Sequence, residues 1–67
     1  MIHIRLNGQN QNIPEELNLA QLLERLQVDP LKVAVAKNLE VVVRSELNRT
    51  RMREGDEIEI FQAVGGG

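Results

Sequence analysis

Three consecutive glycines, Gly65, Gly66 and Gly67, stand at the C-terminus of the chain. Lacking side chains, they confine their chemistry to the backbone and to one terminal carboxyl group. Glycine reaches backbone angles closed to other residues, so a run of it can thread a narrow channel in a partner. The chemistry expected is that of a protein that offers its own C-terminus as a substrate. An α-carboxylate is ionised at neutral pH and is a poor electrophile. The group therefore needs activation before a nucleophile can attack it. The glycines do not form a phosphate loop, because neither a lysine nor a helix follows them, so the activating machinery has to come with another protein. Other candidates are weaker. His3 is the sole histidine and has no cysteine with which to share a metal. Ser45 and Thr50 read as loop residues. Intrinsic catalysis is not expected.

The elements that must carry this tail are legible in the pattern of apolar residues. Ile2, Ile4 and Leu6 alternate with His3 and Arg5, the period of a strand with one apolar face. Asn7-Gly8 favours a tight hairpin turn, with a return strand over 9–13 that Pro14 stops. Leu19, Leu22, Leu23 and Leu26 mark one face of a helix over 19–26. Asn18 is its N-cap, Gln21 completes a capping box, and Leu17 with Leu22 occupies the staple positions. After a loop at Asp29-Pro30, residues 33–36 predict a strand apolar on both faces. Residues 41–43 predict a short β-branched strand. Only a short turn near 45–47 is expected in the polar stretch 45–53, anchored by Leu47 and Met52. A turn at Gly55-Asp56 leads into a last strand over 57–64. One amphipathic helix covers one face of such a sheet, giving a two-layer α+β domain. The first and last strands are expected side by side at its centre.

Length and charge bound the rest. A chain of 67 residues is one small domain, burying about 60% of the surface of its unfolded chain. It divides into a body, 1–64, and a tail, 65–67. The net charge is −2, with acids and bases interspersed, which does not predict a polyanion-binding protein. Arg44, Arg49, Arg51 and Arg53 form a basic stretch that lacks aromatic partners. A small RNA-binding module is therefore the alternative from another class, and a solvated loop is the simpler reading. No apolar run approaches the roughly 20 residues of a membrane span. The alternation from Met1 onward does not resemble a secretory signal, so a cytoplasmic location is expected.

If Ile58 and Ile60 face the helix, then Glu59, Phe61 and Ala63 face the other way. Phe61, the only aromatic residue, then stands either as an exposed docking anchor upstream of the tail or as core packed beneath a loop. Glu57 and Glu59 either meet basic groups of a partner or form a solvated sheet face.

The order of elements, Asn7-Gly8, the leucine helix, the run Gly55-Asp56-Glu57-Ile58-Glu59-Ile60 and the closing Val64-Gly65-Gly66-Gly67 together resemble the ubiquitin-like sulfur carriers, and within them the ThiS family. The resemblance covers essentially the whole chain. It implies a β-grasp fold, with four to five strands in a mixed sheet and one helix on one face. It implies that a ThiF-like adenylyltransferase, using ATP and Mg, adenylates the carboxylate of Gly67. A sulfur donor system, such as one fed by a cysteine desulfurase, then converts it to a thiocarboxylate. The thiazole synthase ThiG accepts that sulfur for the thiazole of thiamine. Gly65 and Gly66 thread the tail into the partner. Two departures stand out: Val43 precedes Arg44 where a proline is frequent, and Leu47 lies where a tryptophan is common. The molybdopterin-synthase small subunit is the neighbouring alternative, but it often carries a Pro-Pro pair where this chain has Gln62-Ala63.

Overall fold

The computed structural model describes residues 1–62. The expectations placed on Ala63, Val64, Gly65, Gly66 and Gly67 lie outside the described residues. Along the chain come β1 (Ile2–Leu6), β2 (Gln9–Ile13), α1 (Leu19–Arg25), β3 (Val33–Lys37), β4 (Glu40–Val42), a 3₁₀-helix (Arg44–Arg49) and β5 (Glu57–Gln62). The sheet order is β2-β1-β5-β3-β4. β1 and β5 run parallel, and the other neighbours are antiparallel. The first and last strands thus lie side by side, with β5 in the middle.

The helix has seven residues and would not persist alone. Asn18 caps it. Its side-chain oxygen accepts from the backbone N–H of Gln21 at 2.7 Å, and Gln21 Oε1 accepts from the N–H of Asn18 at 3.0 Å. Such a cap contributes about 1 kcal/mol. Leu19, Leu22 and Leu23 are buried, so packing supplies the rest. The helix ends one residue earlier than expected. Leu26 is the C-cap and is 39% exposed. Gln27 takes a positive φ of 58°. The N–H of Val28 then donates to the Leu23 carbonyl at 3.0 Å, and that of Gln27 to Glu24 at 3.1 Å. This is a Schellman stop made without glycine, which is why the sequence pattern did not mark it.

The core joins Ile2 and Ile4 of β1, Ile13, the three helix leucines, Val35, Ile58, Leu47 and Met52. Other boundaries moved. In β3 only Val35 and Ala36 are buried, while Val33 and Ala34 are half-buried, because β4 pairs only with Val35–Lys37 and leaves the start of β3 without a neighbour on that side. β4 occupies Glu40–Val42, one residue earlier than expected, because the turn closes on Asn38-Leu39. The polar stretch after it forms a six-residue 3₁₀-helix instead of a short turn. Backbone pairing explains how such a segment is held. Leu19 N–H donates to Thr50 at 2.9 Å, Asn18 Nδ2 donates to the Asn48 carbonyl at 3.1 Å, and Leu47 and Met52 plug into the core.

Candidate functional site

The tail leaves the body through β5, so the geometry of that strand decides what surrounds it. β5 pairs with β3 along five residues, from Lys37 opposite Ile58 to Val33 opposite Gln62. On its other side it pairs with β1 only at Arg5–Glu57 and Leu6–Ile58. β1 then turns away at Asn7, and the Asn7 side chain takes over the ladder. Asn7 N–H donates to the Ile58 carbonyl at 2.9 Å, and Asn7 Oδ1 accepts from the Ile60 N–H at 2.8 Å. Beyond Ile60, β5 has a neighbouring strand on one side only, and the tail continues from that projecting end.

Ile58 is fully buried and Ile60 partly packed against the core, so the expected core face is confirmed. Phe61 is 48% exposed, which decides between its two readings in favour of the surface. Glu59 is half-buried on the same side, whereas Ala63 lies outside the described residues. Cross-strand register builds the surface around Phe61. Ala34 stands opposite Phe61, and Ala36 stands opposite Glu59 on one side and Val41 on the other. The open face at this end is therefore apolar, with alanines as its floor and Phe61 and Val41 as its walls.

The charged candidates are placed apart from it or paired within the chain. Glu57 lies 3.8 Å from Arg5, with both side chains exposed, a solvated pair of small energetic weight. His3 stands at the surface 3.6 Å from Glu54. Of the basic stretch, Arg49 meets Glu46 at 3.8 Å. Arg51 and Arg53 border an open depression with Lys37 and Asp56. Asp56 is the one buried charged residue among those described, and it is well partnered. It accepts from Asn38 Nδ2 at 3.0 Å and from the Arg53 N–H at 2.8 Å, with Lys37 Nζ 3.8 Å away. Its role is to fold the turn that launches β5. Gly8 and Gly55 both have positive φ and both lead into strands, so neither forms the glycine-to-helix junction that cradles phosphate. Among the described residues no group of three potential ligands could hold a metal, and no helix is long and apolar enough to cross a membrane.

Sequence reasoning missed Leu39, Val41 and Val43, which are 83%, 70% and 59% exposed along the edge beside this face. Three valines in a row read as a short β-branched strand, with nothing to say whether it is covered. The signal that could have separated them is the following run of polar residues, which leaves no next strand to cover β4.

A five-stranded mixed sheet with a central parallel pair of first and last strands and one helix on one face define a small β-grasp domain of the ubiquitin-like class. A crystal structure of a thiamine biosynthesis protein, ThiS, from Geobacter metallireducens shares this fold with a TM-score of 0.86. It is 32% identical, over 98% of this chain and 100% of that one. A family model described as the ThiS family matches residues 4–67, and the chain belongs to that family. Two thiazole synthases are also similar. That of Paramagnetospirillum magneticum is 39% identical over 62 residues, 92% of this chain. That of Magnetococcus marinus is 39% identical over 64 residues, 96% of this chain. The chain spans only about a fifth of their lengths, 19% and 20% respectively.

Proposed function

We propose that this chain is a sulfur carrier of thiamine biosynthesis, a protein cosubstrate whose reactive group is the carboxyl of Gly67. The observation that carries this reading is the extent of the family match, which runs through residue 67 and so takes the glycine tail inside it. A ThiF-like adenylyltransferase supplies ATP and Mg. A carboxylate oxygen of Gly67 attacks the α-phosphorus of ATP, and the bond to pyrophosphate breaks. A hydrosulfide equivalent from the donor system, fed by a cysteine desulfurase, then attacks the acyl carbon. The bond to AMP breaks and a thiocarboxylate remains. A thiazole synthase of the ThiG type takes that sulfur. The two thiazole synthases that contain a matching segment support this recipient over a molybdopterin synthase.

In this reading the described body contributes binding. Ordering a flexible residue costs roughly 1–2 kcal/mol, so seating the three tail residues costs roughly 3–6 kcal/mol. A docking face beside the tail offsets that, and Phe61 stands where such a face is needed.

Intact-protein mass spectrometry tests the reading. Incubated with ATP, Mg, the cognate activating enzyme and a sulfur source, the chain should exchange one oxygen for sulfur at Gly67. Deleting Gly67 should abolish the exchange while leaving the melting curve of the body unchanged. Absence of the exchange in the intact chain, with the activating enzyme shown to be competent, rejects it. Co-purification with a molybdopterin-synthase large subunit instead of a thiazole synthase would reassign the recipient.

A further inference from the structure

The chain makes the same turn twice. Each hairpin closes through two residues, between Leu6 and Gln9 and between Lys37 and Glu40. Both loop residues have positive φ in each: 50° and 82° at Asn7 and Gly8, 51° and 72° at Asn38 and Leu39. This geometry suits asparagine followed by glycine. At the second turn a leucine takes glycine's place, in a conformation that L side chains avoid. Asn38 braces the turn through Asp56 and Glu57, but the Leu39 side chain gains no packing in return, since it is 83% exposed. An exposed apolar side chain held in a strained turn is a reason to look for an external contact.

The contact surface is continuous with it. Leu39, Val41 and Val43 recur at every second residue along the edge, and the apolar floor of Ala36 and Ala34 joins them to Phe61. An open groove of about 540 Å³ borders β4 along Val41, Val42 and Val43, and its other walls are polar, among them Lys37, Glu40 and Glu46. Glu40, Glu46 and Glu59 fringe the surface together with Lys37 and Arg44, so the rim is mixed in charge and a complementary partner meets it chiefly with an apolar patch.

Resting on the carrier reading, we propose that this edge is the docking surface for the thiazole synthase and that Leu39 is its specificity-determining anchor. Two observations favour that occupant. In the similar thiazole synthases the matching segment is joined to about four-fifths of further chain, so such a domain and a synthase body work at short range. Phe61 also lies two residues before position 63, and the five residues 63–67 reach at most roughly 18 Å when fully extended. Val42 lies level with Ile60 and Leu39 at the other end of the edge near Glu57, so a body that spans the edge meets the tail at its Phe61 side.

The test uses the intact, uncharged chain and the cognate thiazole synthase in isothermal titration. L39G restores the residue the turn prefers, so its thermal midpoint should equal or exceed that of the wild type, while Kd weakens about tenfold, as for an interface anchor. V41T should weaken binding several-fold. Q11K, on the polar opposite edge, should bind as the wild type does. The inference is overturned if L39G binds with wild-type affinity, if Q11K weakens binding as much as L39G, or if L39G loses binding only in proportion to a lowered midpoint. It is equally overturned if L39G impairs charging at the activating enzyme but leaves synthase binding intact. The mass shift at Gly67 judges the carrier reading separately, because titration with uncharged chain does not depend on it.

Discussion

The two hairpins of this small sheet are close copies in backbone and opposites in surface. In each, an asparagine at the first turn position reaches across to the central strand: Asn7 Oδ1 accepts from the Ile60 N–H, and Asn38 Oδ1 from the Glu57 N–H. β5 is thus gripped from both sides by side chains where backbone pairing stops. After the turn the copies diverge. β2 carries Gln9, Asn10, Gln11 and Asn12, all exposed, a polar edge that offers no apolar template to another sheet. β4 carries Val41 exposed at its centre and is followed by exposed Val43. One edge is finished for water, and the other keeps apolar groups in water at the end from which the tail departs. Large apolar surface is rarely left open on a soluble domain without a use. The difference teaches that the fold alone does not explain β4, since β2 shows that the same architecture is met by an entirely polar edge.

The comparison can be broken most sharply at the asparagines. Asn38→Ala should lose about 3 kcal/mol, because it strands the Glu57 N–H and one Asp56 oxygen and places alanine at positive φ. Asn7→Ala should lose about 2 kcal/mol, since it also places alanine at positive φ but strands one group, the Ile60 N–H, instead of two. Urea denaturation of the pair would show whether the second turn is the more heavily braced; equal losses would contradict it. Next in size, Gly8→Leu would give the first turn the sequence of the second. A Cβ at Gly8 meets nothing within 4 Å, so the penalty is backbone strain alone, about 1–2 kcal/mol. A smaller loss would mean that leucine is easily tolerated in this turn and that Leu39 carries no strain. The smallest effect is expected at the apolar edge itself. Val41→Thr should change stability by no more than about 0.5 kcal/mol, because the side chain is 70% exposed. A large loss there would assign Val41 to the core and dissolve the contrast with β2.

Much of the architecture was legible because its signals are local. The alternation of Ile2, Ile4 and Leu6, the Asn7-Gly8 turn and the Asn18–Gln21 capping box each report on a few neighbouring residues, and all three formed as expected. The helix stop was not legible, since a Schellman end usually announces itself with glycine and here uses Gln27. Nor was the 3₁₀-helix, whose support comes from the Asn18 side chain, 30 positions from Asn48, and from the Leu19 N–H. The brace from Asn7 to Ile60 spans 53 positions and leaves no periodic trace.

By itself the sequence determined the kinds of element, their order, the apolar side of β1, α1 and β5, and a glycine tail with a single reactive group. These follow from residue preferences and spacing, which act over one or two turns of chain. Only the tertiary structure decided which strands became edges, that Phe61 faces outward, and that Leu39, Val41 and Val43 stay exposed along the β4 edge. The physical reason is that burial belongs to neighbours. A valine in β3 and a valine in β4 have the same preference for an extended backbone, but the former has strands on both sides and the latter has water on one.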